Sequence, residues 1–314
     1  MPSQEMQAII QVIRAQGALE AADPDIVAAR KRFEAVAQFM PTPPDVKVEQ
    51  ASADGVPGEW ITAPGAADGA TIYYLHGGGY TIGSPLSHRE LVSRLSRVTG
   101  ARAFSLDYRL APENKFPAAI DDAVTGYRWL LKQGARPEST VIGGDSAGGG
   151  LTLATLLTLR DAGDPLPAAA VLLSPWTDLE GNGESMKTRA ELDPMIKGDL
   201  VEVGAAQYYG DASPRDPRVS PIHADLSGLP PTLIHVGDWE VLLDDSTRLA
   251  AKARAGGVDV TLKVWPEMIH VFQFFGAAPE ARQAVDEIGA FIKSHIASKA
   301  PSTAAGAAPR TGVA

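Results

Sequence analysis

The chain has 314 residues, 45% of them hydrophobic and 21% charged, an ordinary globular composition that is long enough for one large α/β core. A formal net charge of −10 sets it against nucleic acid and anionic membrane surfaces, neither of which is expected as a partner. With no cysteine there can be no disulfide, thiolate nucleophile or cysteine-based metal site, and with neither a basic n-region nor a long apolar run a cytoplasmic protein is expected.

In chain order, residues 1–45 carry helical spacing through Ile9, Ile10, Ile13, Val27, Phe33, Val36 and Phe39, and stop at Pro41-Thr-Pro-Pro44. Thr71–Leu75, β-branched and aromatic, reads as a buried strand that runs into His76-Gly77-Gly78-Gly79-Tyr80. Ala103–Leu106 is the next strand. Ile120, Val124, Tyr127 and Leu131 then line one face of a helix that Pro117 can begin. The apolar run Thr140–Gly143 leads into Gly144-Asp145-Ser146-Ala147-Gly148 and an apolar helix. Ala170–Leu173, Thr232–Val236 and Val260–Val264 are further strands, with a helix after Asp244-Asp245 and another over Arg282–Ile296. Residues 298–314, rich in Ala, Pro, Gly, Ser and Thr, are expected to be a disordered tail. This alternation predicts a mostly parallel sheet with helices on both faces. Residues 1–45 and 180–215 fall outside it, and their apolar faces serve either as a lid or as part of the core.

A strand feeding Gly-x-Ser-x-Gly and then a helix is a nucleophile elbow, which makes Ser146 the candidate nucleophile. Glycine at 144 and 148 removes Cβ atoms that would collide on so sharp a turn. Three glycines directly after a strand leave backbone N–H groups uncovered, as acyl transfer requires for its oxyanion, so Gly77, Gly78 and the amide of Ala147 are the candidate donors. Gly79, Tyr80 and Asp145, which flank these positions, and Val271, which follows His270, are candidate substrate contacts.

Taken together, His76-Gly-Gly-Gly79, Asp107-Tyr-Arg-Leu-Ala-Pro-Glu113, Gly144-Asp-Ser-Ala-Gly148 and Asp216-Pro-Arg-Val-Ser-Pro221 resemble the hormone-sensitive-lipase family of bacterial carboxylesterases, over about residues 70 to 295. The resemblance implies an α/β-hydrolase core over residues 46–297, a helical cap formed by residues 1–45 and an insertion at 180–215, hydrolysis of small carboxylic esters, and no metal or organic cofactor. Neither the resemblance nor the residues decide between a monomer and a homodimer.

A serine needs a base and a group that orients the base. Of the six histidines, His76 precedes the glycines, His88 begins a helix, His223 follows Ser220-Pro221, His235 lies inside a strand and His295 in the last helix. His270, in a loop just after the last strand, is the expected base, and the resemblance places the family's histidine there. Asp238, Glu240, Asp244 and Asp245 are all available as the acid. The family pattern Asp-Pro-Leu-x-Asp-Glu aligns with Glu240-Val-Leu-Leu-Asp-Asp245, which favours Glu240, with Asp238 as the alternative and Asp244 and Asp245 left to cap the following helix. Lactone or amide hydrolysis would use the same triad. A hormone-binding relative of this fold would be expected to have a broken triad, and an epoxide hydrolase or dehalogenase would want aspartate at 146.

Overall fold

The computed structural model describes residues 1–16 and 25–296; the expected tail at 298–314 lies outside them. The elements are α1 (Gln4–Gln16), α2 (Ile26–Val36), β1 (Lys47–Ala53), β2 (Val56–Thr62), β3 (Ala67–Leu75), α3 (Pro85–Thr99), β4 (Ala101–Leu106), α4 (Ala118–Lys132), β5 (Thr140–Asp145), α5 (Ala147–Ala162), β6 (Ala169–Leu173), α6 (Ser185–Thr188), α7 (Gly198–Tyr209), β7 (Thr232–Gly237), α8 (Leu243–Ala255), β8 (Val260–Trp265) and α9 (Pro279–His295).

The eight strands form one sheet in the order β1-β2-β4-β3-β5-β6-β7-β8. From β3 onward every strand pair is parallel, while β1 and β2 enter as an antiparallel hairpin. Central strands such as β5, β6 and β7 are buried at every position, which is why they read as unbroken apolar runs. Successive side chains still divide between the faces. Tyr73, Leu75, Ile142, Leu172 and Ile234 pack under α4, α5 and α8, whereas Ile72, Tyr74, Val141, Val171 and Leu233 pack under α3 and α9.

Two details depart from the sequence reading. The buried stripe of α4 continues through Leu130, not Leu131, because 3.6 residues per turn drift from a strict four-three-four spacing. Asp244 and Asp245 lie in the first turn of α8 without capping it. Its N-cap, Leu242, makes no side-chain bond, and the two carboxylates reach the segment after β6 instead. Asp245 Oδ2 accepts from the amides of Thr177 (2.6 Å) and Asp178 (2.8 Å), and Asp244 Oδ2 from that of Ser185 (2.9 Å).

The segments set apart from the core alternation sit close to the loops at the carboxyl ends of the strands. Met6 and Ile10 of α1 pack with Trp265, Met268, Ile269 and Phe272 around the loop after β8. From α2, Arg30 bonds the carbonyls of Thr81 and Ala111 and both carboxylate oxygens of Glu113. In the insertion, the last turn of α7 carries Tyr208, which is fully buried and joins the main core cluster.

Candidate active site

Ser146 follows the last residue of β5 with φ 53° and ψ −122°, a conformation that L-residues adopt only at a cost. Neighbouring backbone holds it there: its N–H donates to Leu173 O (2.8 Å), and its carbonyl accepts from Trp176 N (2.9 Å) as well as from the first turn of α5. The need for glycine on either side is only partly mutual. A Cβ on Gly144 would strike the carbonyls of Leu75 and Gly148, but a Cβ on Gly148 would strike those of Leu75 and His76, where the chain leaves β3. Close approach of β3 is therefore what excludes a side chain at 148. Ala147 opens α5, so its amide sits at the positive end of a helix whose first four N–H groups lack helical partners.

The glycine loop corrects one expected donor. The Gly77 N–H is already donated to Asp145 Oδ1 at 3.1 Å, in a fully buried setting. It is not available to a substrate oxygen. The amides of Gly78 and Gly79 have no acceptor among the described residues, and the positive φ of both (112° and 59°) turns the chain so that it departs from β3.

Asp145 is likewise removed from the substrate contacts. It is 2% exposed, and both its oxygens are engaged, by Tyr74 Oη (2.7 Å), the Gly77 amide and His88 Nε2 (3.3 Å). Burial works against its charge, but the His88 and Tyr74 bonds outweigh burial and hold the carboxyl below the usual range. Asp145 thus anchors the start of the glycine loop to β5. Val271 is also corrected: its side chain is buried with the α3–α9 core cluster. Tyr80 remains next to the elbow, stacked on Tyr208 at 3.7 Å and beside Trp176.

Beyond β7 and β8, Glu240 and His270 meet. Glu240 is fully buried; its Oε2 faces His270 Nδ1 at 2.8 Å, while its Oε1 accepts from Ser174 Oγ (2.8 Å) and the Gly237 amide (2.5 Å). A carboxylate can only accept, so Nδ1 carries the proton and Nε2 is left with a free lone pair. Burial alone would lower the pKa of His270, but the bond and charge of Glu240, backed by the carboxylates of Asp193 and Asp145, raise it above the ordinary 6.5.

Asp238 faces elsewhere. Its carboxylate accepts from the Glu267 amide at 2.5 Å in the turn after β8, and its carbonyl accepts from Arg189 Nε. Asp193, which carries no motif, comes from the insertion to bond the amide of Val241, next to Glu240 (3.0 Å). It is 1% exposed.

The other histidines are occupied or sequestered. His76 stacks on Tyr108, and burial is the main force pushing it down to about 3. His235 is likewise pushed by burial to about 4, and His295 lies at the end of α9. His223 forms, with Asp178 and Glu180, the one group among the described residues with the donor set for a metal ion. Arg248 already neutralises Asp178, and His223 and Arg215 both contact Glu180.

Residues 72–274 match the family described as alpha/beta hydrolase fold. An acetyl-hydrolase of Streptomyces hygroscopicus is 48% identical over 75% of this chain and 79% of its own length. An esterase of Acinetobacter venetianus is 38% identical over 85% and 88%. Among solved structures, an esterase of the bacterial hormone-sensitive lipase family superposes with a TM-score of 0.90 at 47% identity, covering 95% of this chain and 100% of its own. EstE5 soaked with p-nitrophenyl butyrate superposes with 0.90 at 45% identity, covering 94% and 100%. With its sheet order, its elbow and these relatives in agreement, the chain belongs to the α/β-hydrolase family and, within it, to the bacterial hormone-sensitive-lipase-type esterases.

Proposed function

We propose that the protein is a serine carboxylesterase working through an acyl-enzyme, with Ser146 as nucleophile, His270 as base and Glu240 as the acid that orients it. The observation that carries this reading is the buried 2.8 Å contact between Glu240 and His270 Nδ1, on loops at the same end of the sheet as the strained Ser146. His270 Nε2 takes the Ser146 proton as Oγ attacks the ester carbonyl, and returns it to the departing alcohol; a water then repeats the sequence on the acyl-serine. The amides of Gly78, Gly79 and Ala147 stabilise the oxyanion in both halves, each contributing about 3 kcal/mol to the transition state.

Residues 1–45 and the insertion act as the cap, supported by the Arg30 contacts to the loops after the glycines and by Asp193 and Arg189 on the acid loop. No helix among the described residues is long and apolar enough to cross a membrane.

Short to medium acyl esters, of roughly four to eight carbons, are the preferred substrates. Each added methylene contributes about 0.8 kcal/mol only while there is room to bury it. Beside the elbow, buried Tyr80 packs against both Tyr208 and Trp176, with Phe116 edge-on to Tyr208, an aromatic cluster that leaves little space for a long chain. A series of p-nitrophenyl esters from acetate to palmitate, with lactones and anilides alongside, should peak near butyrate to octanoate. Faster turnover of palmitate, or of lactones or anilides, would overturn the assignment.

The pH dependence follows from the His270 environment. The base must be neutral, and its pKa is raised, so activity is full above that pKa and lost as pH falls through it. The acid limb of kcat/KM should therefore be centred above the ordinary 6.5 of an imidazole. A profile flat down to about pH 5 would remove His270 from the role.

A further inference from the structure

Ser174 directly follows β6, is fully buried, and has φ 46°. Nothing in the sequence around it signals chemistry, yet its hydroxyl lies between the two groups assigned as acid and base. Its Oγ donates to Glu240 Oε1 (2.8 Å) and accepts from the amide of Val271, the residue after His270 (3.2 Å). Val271 also has φ 46°, a conformation in which a β-branched residue is a genuine outlier that persists only if its surroundings hold it. The turn around Ser174 reaches the elbow as well, since Leu173 O accepts from Ser146 N and Trp176 N donates to Ser146 O, while Ser174 N donates to His235 O in β7.

We propose that Ser174 is a positioning residue whose hydroxyl sets the carboxylate of Glu240 and the backbone of His270-Val271 in register with each other and with Ser146. The inference rests on the reading of Glu240 and His270 given above. The hydroxyl has one proton, and because a carboxylate can only accept, that proton goes to Glu240 while a lone pair takes the Val271 N–H. Without it, Oε1 keeps only the Gly237 amide and the Val271 N–H is buried without an acceptor, so the histidine loop loses a tether. The carboxylate, less shared, then stabilises the imidazolium more strongly, and His270 titrates at a higher pH.

The test uses Ser174→Ala and Ser174→Gly in the full chain, assayed with p-nitrophenyl butyrate. Both variants are expected to lose about tenfold or more in kcat with KM changed less than about twofold, and to move the acid limb of kcat/KM upward by about half a pH unit. The glycine variant relieves the positive φ and so guards against a failure to fold. A lowered melting temperature with kcat and the acid limb unchanged would make Ser174 merely structural and overturn the proposal. So would a glycine variant with wild-type kcat, since backbone conformation and not the hydroxyl would then be at work. Labelling with a fluorophosphonate separates this failure from that of the underlying reading: Ser174 variants that behave as wild type while the wild type labels at Ser146 remove Ser174 alone. Label found on another serine removes the triad assignment and this inference with it.

Discussion

Ser146→Ala is expected to lower kcat by about 10⁴- to 10⁶-fold while leaving the melting temperature nearly unchanged. The proposed nucleophile's hydroxyl carries the reaction, but its Cβ and backbone hold the turn, and alanine keeps both. The φ of 53° is as unfavourable for alanine as for serine, so the strain of the elbow persists. Ser146→Gly provides the contrast. It should be equally inactive yet melt higher by roughly 2 °C or more, because glycine enters the left-handed region without the ~1–2 kcal/mol penalty. Fluorophosphonate reagents should attach to Ser146 alone in the wild type and to nothing in either variant. Substantial turnover by the alanine variant, or a labelled serine elsewhere, would overturn the assignment.

Why was the elbow legible in the sequence when part of the oxyanion loop was not? The elbow is a local constraint: strand, two glycines and helix are consecutive, so five residues encode it. The central strands β5, β6 and β7 were visible for a similar reason, being short runs buried on both faces. The hairpin β1–β2 was missed although its signal is present, since Asp54-Gly55 joins the strands with both residues at positive φ, the geometry of a two-residue hairpin turn. Its flanks are half-exposed and polar, so they lack the apolar run that marks the central strands.

Gly77 is a different case. Whether its N–H is free depends on Asp145, 68 residues away, and no spacing rule predicts which backbone donor a buried carboxylate will take. The same long range hid Ser174 and Asp193, which reach Glu240 or its neighbour across 66 and 48 residues. Elements follow from periodicity, whereas the second layer of contacts around a site follows from which loops the sheet order brings together. Here β6, β7 and β8 are adjacent, so the residues just beyond them must meet.

The acid is where sequence left the widest choice, and here Glu240→Gln and Asp238→Asn are expected to diverge sharply. Glu240→Gln should lower kcat by about 10³- to 10⁴-fold with little loss of stability. The glutamine carbonyl can still accept from Ser174 Oγ and the Gly237 amide, so the loop keeps its shape. Its amide nitrogen then faces His270 Nδ1, two donors meet, and the ring relieves the clash by moving its proton to Nε2. That tautomer has no lone pair for the Ser146 proton, and no negative charge remains to stabilise an imidazolium, so the loss falls on kcat more than on KM. Asp238→Asn removes a charge from a group that instead holds the turn after β8. An asparagine oxygen still accepts from the Glu267 amide, so the variant should keep turnover within a few-fold of wild type and mainly lower the melting temperature, by the ~1 kcal/mol of a weakened charge-assisted bond. Glutamate at 240 has one methylene more than the family's usual aspartate, and in this chain the longer arm folds back so that one oxygen caps the end of β7 at Gly237 while the other meets the imidazole. If Asp238→Asn abolished turnover in a folded protein while Glu240→Gln stayed active, the acid would be Asp238, and the buried Glu240–His270 contact would be structural.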